Sequence, residues 1–60
     1  RHVEQALAQL TPRTREVFLM HRLDGFKYRE IAERLEISQS AVEKHIAKAV
    51  LFLAEWTRER

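Results

Sequence analysis

The sequence predicts an all-α domain of four short helices, with a helix-turn-helix in its second half. Three observations predict it. The 60-residue chain holds one glycine and one proline, so few positions interrupt a helix. Apolar residues recur at three- and four-residue spacings along nearly its whole length. Two hydrophobic pairs, Phe26 with Ile31 and Ile37 with Val42, each stand five residues apart. That is the spacing of a staple, which joins the residue before a helix cap to the fourth helical residue.

The first helix is read from Val3, Ala6, Leu7 and Leu10, and it ends near Thr11-Pro12. Proline disfavours helix in the residue before it and suits a first helical position. Thr11 therefore caps a second helix that begins at Pro12. Its apolar set, Val17, Phe18, Leu19, Met20 and Leu23, is wider than one stripe and calls for burial on two sides or for a partner surface. Asp24-Gly25 stops it, with Gly25 free to take the left-handed geometry of a helix end.

The third helix starts at Tyr28. Phe26 and Ile31 clamp its start, and Glu30 reaches back to the amide of the cap residue. That cap is Lys27, an ammonium that cannot accept a hydrogen bond, at a cost of ~1 kcal/mol relative to serine or threonine. The fourth helix follows the good cap Ser38. Val42, Ile46, Ala49, Leu53 and Trp56 give it one continuous apolar seam. Glu36-Ile37-Ser38 is then a three-residue turn. Ile31, Ala32 and Leu35 face inward, Ile37 plugs the turn, and the small Ala32 lets the two helices cross closely, near the short end of ~8–10 Å.

This geometry leaves Gln39, Ser40, Glu43, Lys44, Ala47 and Lys48 facing outward on the fourth helix, with His45 near the edge. A helix-turn-helix is a rigid way to place one helix in a DNA major groove. The outward residue types suit base edges: Gln39 pairs with adenine, lysine donates to guanine, Glu43 accepts from cytosine and Ala47 meets a thymine methyl. Lys27, Tyr28, Arg29, Arg13 and Arg15 lie at helix starts, where free amides favour phosphate. Lysine at position 27, poor as a cap, is expected to serve as a phosphate contact instead.

Composition narrows the alternatives. A chain this short buries only ~60% of its unfolded surface. It has no cysteine, hence no disulfide and no thiolate metal site. His2, His21 and His45 have no ligand spacing, so no metal is expected. Ser38 lacks a histidine–acid pair to activate it, and Gly25 stands alone rather than in a phosphate loop. No catalytic residue and no cofactor are expected. No apolar run approaches the ~20 residues of a membrane span and no signal peptide is visible, so a cytoplasmic location is expected. The first residue is arginine, which suggests a fragment of a longer protein, with residues 1–60 as one domain. The formal net charge is +2. Free-standing DNA binders are usually more basic, so assistance from another domain or partner is expected. Phe52 and Trp56 read as core or as packing against the first helix.

Four runs carry a family resemblance. They are Leu10-Thr11-Pro12-Arg13-Thr14-Arg15-Glu16-Val17-Phe18-Leu19, Leu23-Asp24-Gly25-Phe26, Tyr28-Arg29-Glu30-Ile31-Ala32 and Ser40-Ala41-Val42-Glu43-Lys44-His45-Ile46-Ala47-Lys48-Ala49. Together they resemble region 4 of bacterial RNA polymerase sigma factors. Within these, the likeness is to the extracytoplasmic-function class and its iron-siderophore uptake regulators. The resemblance covers nearly the whole chain. It implies a helix-turn-helix of the winged-helix-like, sigma region 4 type. It also implies sequence-specific binding to the −35 promoter element as part of RNA polymerase holoenzyme, directing transcription initiation. By position, Ser40, Lys44, His45 and Lys48 are then DNA-facing, and Tyr28 and Arg29 lie near the backbone. Leu19, Met20 and Leu23 are candidates for the polymerase side, against the flap of the β subunit, and an anti-sigma factor can cover the same surfaces. The chain departs from the family at Glu36, where glycine is usual, and at Lys27, where serine or threonine is usual. Many relatives also carry arginine where Glu43 and His45 stand.

Two other readings stay open. The DNA-binding domain of a response regulator or quorum-sensing activator shares L-T-P-R-x-R-E-V and E-I-A-x-R-L and binds operators as a dimer. That family usually has asparagine at Tyr28 and asparagine-histidine at Lys44-His45, so Tyr28 and Lys44 favour the sigma reading. A helical adaptor that binds only protein would instead use an apolar patch such as Leu51, Phe52 and Trp56.

Overall fold

Thr11 sits in extended backbone at φ −63°, ψ 154°, and its hydroxyl accepts from the amide of Thr14 at 3.4 Å. With Pro12 in the first helical position, this cap separates two helices that would otherwise run together. In the computed structural model, which describes residues 2–58 and side chains from residue 4 onward, α1 spans His2–Gln9 and α2 spans Pro12–Arg22. The side chains of His2 and Val3, and so the expected core role of Val3, lie outside the described residues. Next come α3, Tyr28–Leu35, and α4, Gln39–Arg58. The described residues form four helices and no strand, as the sequence predicts.

The end of α2 is closed by backbone bonds. The amides of Leu23 and Asp24 both reach the carbonyl of Leu19, and the amide of Phe26 reaches that of Met20. Gly25 makes the reversal at φ 74°, a conformation open to glycine at little cost. His21 secures the far side, its Nδ1 donating to the carbonyl of Phe26 at 2.9 Å. The start of α3 is half of a capping box. A Glu30 carboxylate oxygen accepts from the amide of Lys27 at 2.8 Å, while the ammonium of Lys27 returns nothing. Arg34 lies over the ring of Phe26, 4.1 Å from its centre, a cation–π contact that holds the staple residue down.

The core takes one closed side chain from each of three helices. Val17 of α2, Ile31 of α3 and Val42 of α4 are all at 0% exposure. Ala32 and Ile46 complete the cluster, and Met20, Phe26, Tyr28, Leu35 and Ile37 pack around it. Burial of each valine or isoleucine contributes ~1.5–3 kcal/mol. Both staples therefore feed the same core, which explains why α3 and α4 meet at a fixed angle.

Helix α1 lies against α4, with Ala6, Leu10 and Ala49 buried. Arg15 ties its end down, its guanidinium donating to the carbonyls of Leu7 and Leu10 at 3.3 and 3.4 Å. These carbonyls belong to the last turn, where a helix leaves acceptors unsatisfied. Helix α4 is 20 residues long, ~30 Å at 1.5 Å per residue, and it sets the 36 Å long axis of the molecule. Near its end Phe52 and Trp56 are half-buried and touch each other, ring centres 5.8 Å apart. Leu51 is left exposed. No helix of the described residues is long and apolar enough to cross a membrane.

Candidate nucleic-acid interface

The start of α4 is fixed by Ser38, whose hydroxyl accepts from the amide of Ala41 at 3.0 Å. Cap and core together determine how the helix is rolled. Val42, Ile46 and Ala49 point inward and are buried, while Ser40, Glu43, Lys44, Ala47 and Lys48 are exposed. The exposed set follows helical spacing of three and four, which makes it one face. Gln39 is exposed beside it at the first helical position. The sequence-predicted outer face is thus present as one polar surface with two ammonium groups, a carboxylate and a small methyl-bearing residue.

The third helix begins with two further cations. Lys27 and Arg29 are exposed, and neither has an ion-pair partner among the described residues. Tyr28 is more enclosed than a surface contact. It packs against the core, edge-on to His21 with ring centres 5.1 Å apart and planes at 62°.

Arg15 and His45 differ from simple surface contacts, while Arg13 does not. Arg15, expected at a phosphate, is instead spent on the end of α1. Arg13 stays exposed, 3.9 Å from Glu16, a pair worth little in water. His45 is half-buried and turned toward α2, its Nδ1 2.8 Å from the hydroxyl of Thr14. It borders the exposed face of α4 rather than standing in its middle.

The candidates for a polymerase surface are also unequal. Leu23 is 76% exposed, Leu19 is half-buried, and Met20 packs onto the core. Sequence reasoning passed over Thr14, which is 3% exposed and joins two helices. Its signal was available: Thr14 lies three before Val17, so a hydroxyl stands in the buried stripe of α2 and needs a partner.

Comparison with known proteins agrees with this architecture. The family model described as "Sigma-70, region 4" matches residues 1–53. The chain is 48% identical over 48 residues to the ferric citrate uptake sigma factor FecI of Escherichia coli (strain K12), covering 80% of this chain and 28% of that protein. It is 41% identical over 49 residues to the positive control factor of Bacillus subtilis (strain 168), covering 82% of this chain and 29% of that protein. The chain thus spans less than a third of the length of these relatives. No solved structure gives a significant match. A four-helix domain with a stapled helix-turn-helix, a polar outer face and this family match leads to one assignment. The chain belongs to the sigma-70 region 4 family.

Proposed function

We propose that this domain binds the −35 promoter element sequence-specifically, as part of RNA polymerase holoenzyme, and so directs transcription initiation. The observation that carries the reading is the roll of α4. Its buried seam at Val42, Ile46 and Ala49 leaves Ser40, Glu43, Lys44 and Lys48 exposed together, with base-reading chemistry on a helix that a rigid partner holds. Gln39, Ser40, Glu43 and Lys44 read bases, Lys48 and His45 flank them, and Lys27, Tyr28 and Arg29 hold the phosphate backbone. Leu23, with Leu19 and Met20 beside it in sequence, engages the β-flap of the polymerase, and an anti-sigma factor competes for these surfaces. The domain is one region of a longer cytoplasmic protein. Tethering to polymerase compensates for a net charge of only +2, since an intramolecular second contact raises effective affinity by ~10²–10⁴-fold.

Promoter binding by holoenzyme tests this. Lys48→Ala lowers affinity for every sequence and reduces the salt slope by ~0.9, as one lost phosphate contact does. Lys44→Ala costs ~1–3 kcal/mol at one base position and little elsewhere. Unchanged promoter affinity in both variants means that α4 does not dock by this face.

A further inference from the structure

The hydroxyl of Thr14 is buried in the first turn of α2 and meets the imidazole of His45, midway along α4, at 2.8 Å. It has no other partner among the described residues. Thr14 is also bound at its amide by the Thr11 cap, and the next residue, Arg15, holds the end of α1. The first turn of α2 is therefore tied both to the end of α1 and to α4. His45 connects it to the helix whose outer face carries Lys44 and Lys48.

Cap and core set which face of α4 turns inward, and a directional contact can fix that roll more finely. Val17, Ile31, Val42 and Ile46 make apolar contacts, which are non-directional and tolerate a small roll of α4 about its own axis. A roll of ~10° moves side chains at a radius of ~5–6 Å by ~1 Å, more than a bidentate base contact tolerates. The hydrogen bond from Thr14 is directional and removes that freedom. The buried hydroxyl proton needs an acceptor, and the imidazole nitrogen facing it is Nδ1. In the neutral ring Nδ1 is then the acceptor, and Nε2 carries the hydrogen.

We propose that Thr14 is a positioning residue for DNA reading. Its hydroxyl donates to His45 Nδ1, sets the ring as the Nε2–H tautomer, and locks the roll of α4. This rests on the reading of α4 as the DNA-contacting helix and adds a residue that touches no DNA itself.

The test combines a spectroscopic signature with rescue. The intact protein is labelled with ¹⁵N-histidine under mildly alkaline conditions, where a free imidazole is neutral. The ring signals of His45 are those lost in His45→Gln. Wild type and Thr14→Ser show an unprotonated Nδ1 and a protonated Nε2; Thr14→Val shows a mixture of tautomers. In holoenzyme, Thr14→Val weakens promoter binding about tenfold (1.4 kcal/mol), and Thr14→Ser recovers most of the loss. Thr14→Ala takes its place if Thr14→Val does not melt cooperatively. A protonated Nδ1 in the wild type overturns the proposal. So does wild-type promoter affinity in the variant without the hydroxyl. If Lys44→Ala and Lys48→Ala weaken binding while that variant does not, the DNA reading stands and this inference falls. If none of the variants changes promoter binding, both fall.

Discussion

The carbonyl of Ala32 accepts from the amide of Ile37 at 3.0 Å, closing the end of α3 where Glu36 is held at φ 58°, ψ 44°. This is the six-to-one bond of a Schellman ending, with glutamate where glycine is the usual occupant. The same Ala32 is the small residue buried in the core between α3 and α4, and Ile37 packs on that core. One bond thus ends the first rod of the helix-turn-helix and aims the second.

Left-handed backbone costs a side-chain-bearing residue ~1–2 kcal/mol. Glycine removes that cost but gives back ~0.4–1 kcal/mol through the entropy of the unfolded chain. Glu36→Gly is therefore expected to stabilise the domain by ~0.5 kcal/mol or somewhat more, raising the melting temperature by a few degrees, as ~4–8 °C per kcal/mol implies for a chain of this size. Glu36→Val moves the other way, because a branched side chain tolerates the region worst. Thermal unfolding of the two variants checks the signs; a lower melting temperature for Glu36→Gly contradicts the assignment of strain.

Lys27 separates stability from function. Serine there supplies the missing acceptor and adds ~0.5–1 kcal/mol to stability. It also removes an exposed cation at the start of α3. Lys27→Ser is expected to melt higher and bind promoter more weakly, with a salt slope smaller by ~0.9. Higher stability with unchanged binding would leave Lys27 without a phosphate partner.

Leu23 offers a cleaner probe of the polymerase side than its neighbours. At 76% exposure it contributes little to the fold, whereas Leu19 is half-buried and Met20 packs on the core. Leu23→Asp is expected to change the melting temperature by no more than a surface substitution does, within ~0.5 kcal/mol, while weakening binding to the β-flap. Pull-down against the isolated flap measures it, and full retention of binding excludes Leu23 from that surface.

Arg15 is expected to act locally. Its two bonds to α1 are long, at 3.3 and 3.4 Å, so their loss costs ~1 kcal/mol or less. Arg15→Met keeps the stem and removes the donors. Hydrogen exchange is expected to rise in α1 and to stay unchanged in α3; equal loosening of both helices contradicts the clamp.

Most of the architecture was legible because local and global preferences agree in this chain. Thr11-Pro12, Gly25 and Ser38 punctuate the helices where the caps are found, and the two five-residue staples name the core of the helix-turn-helix. What escaped the sequence was long-range polar pairing. Arg15 reads as a helix-start cation, since nothing nearby in sequence says that the carbonyls of α1 lie within reach. His45 reads as a groove-edge residue, since its partner Thr14 stands 31 positions away. The contact of Arg34 with the ring of Phe26 has no counterpart in the sequence reading either. Periodicity reports which face is buried; it does not report which polar groups meet across helices.

Docking of the outer face of α4 on the promoter can be mapped directly by cleavage from a probe on that face. This domain contains no cysteine, so Ser40→Cys, made in the full-length protein with any cysteine elsewhere replaced and labelled before assembly with core polymerase, carries a radical-generating iron chelate at one defined point on that face. In holoenzyme bound to its promoter, DNA cleavage from this position is expected within the −35 element, while the same probe at Glu4, on α1, leaves that element uncut. Strong cutting from Glu4 with none from Ser40 would mean that the domain meets DNA by another side.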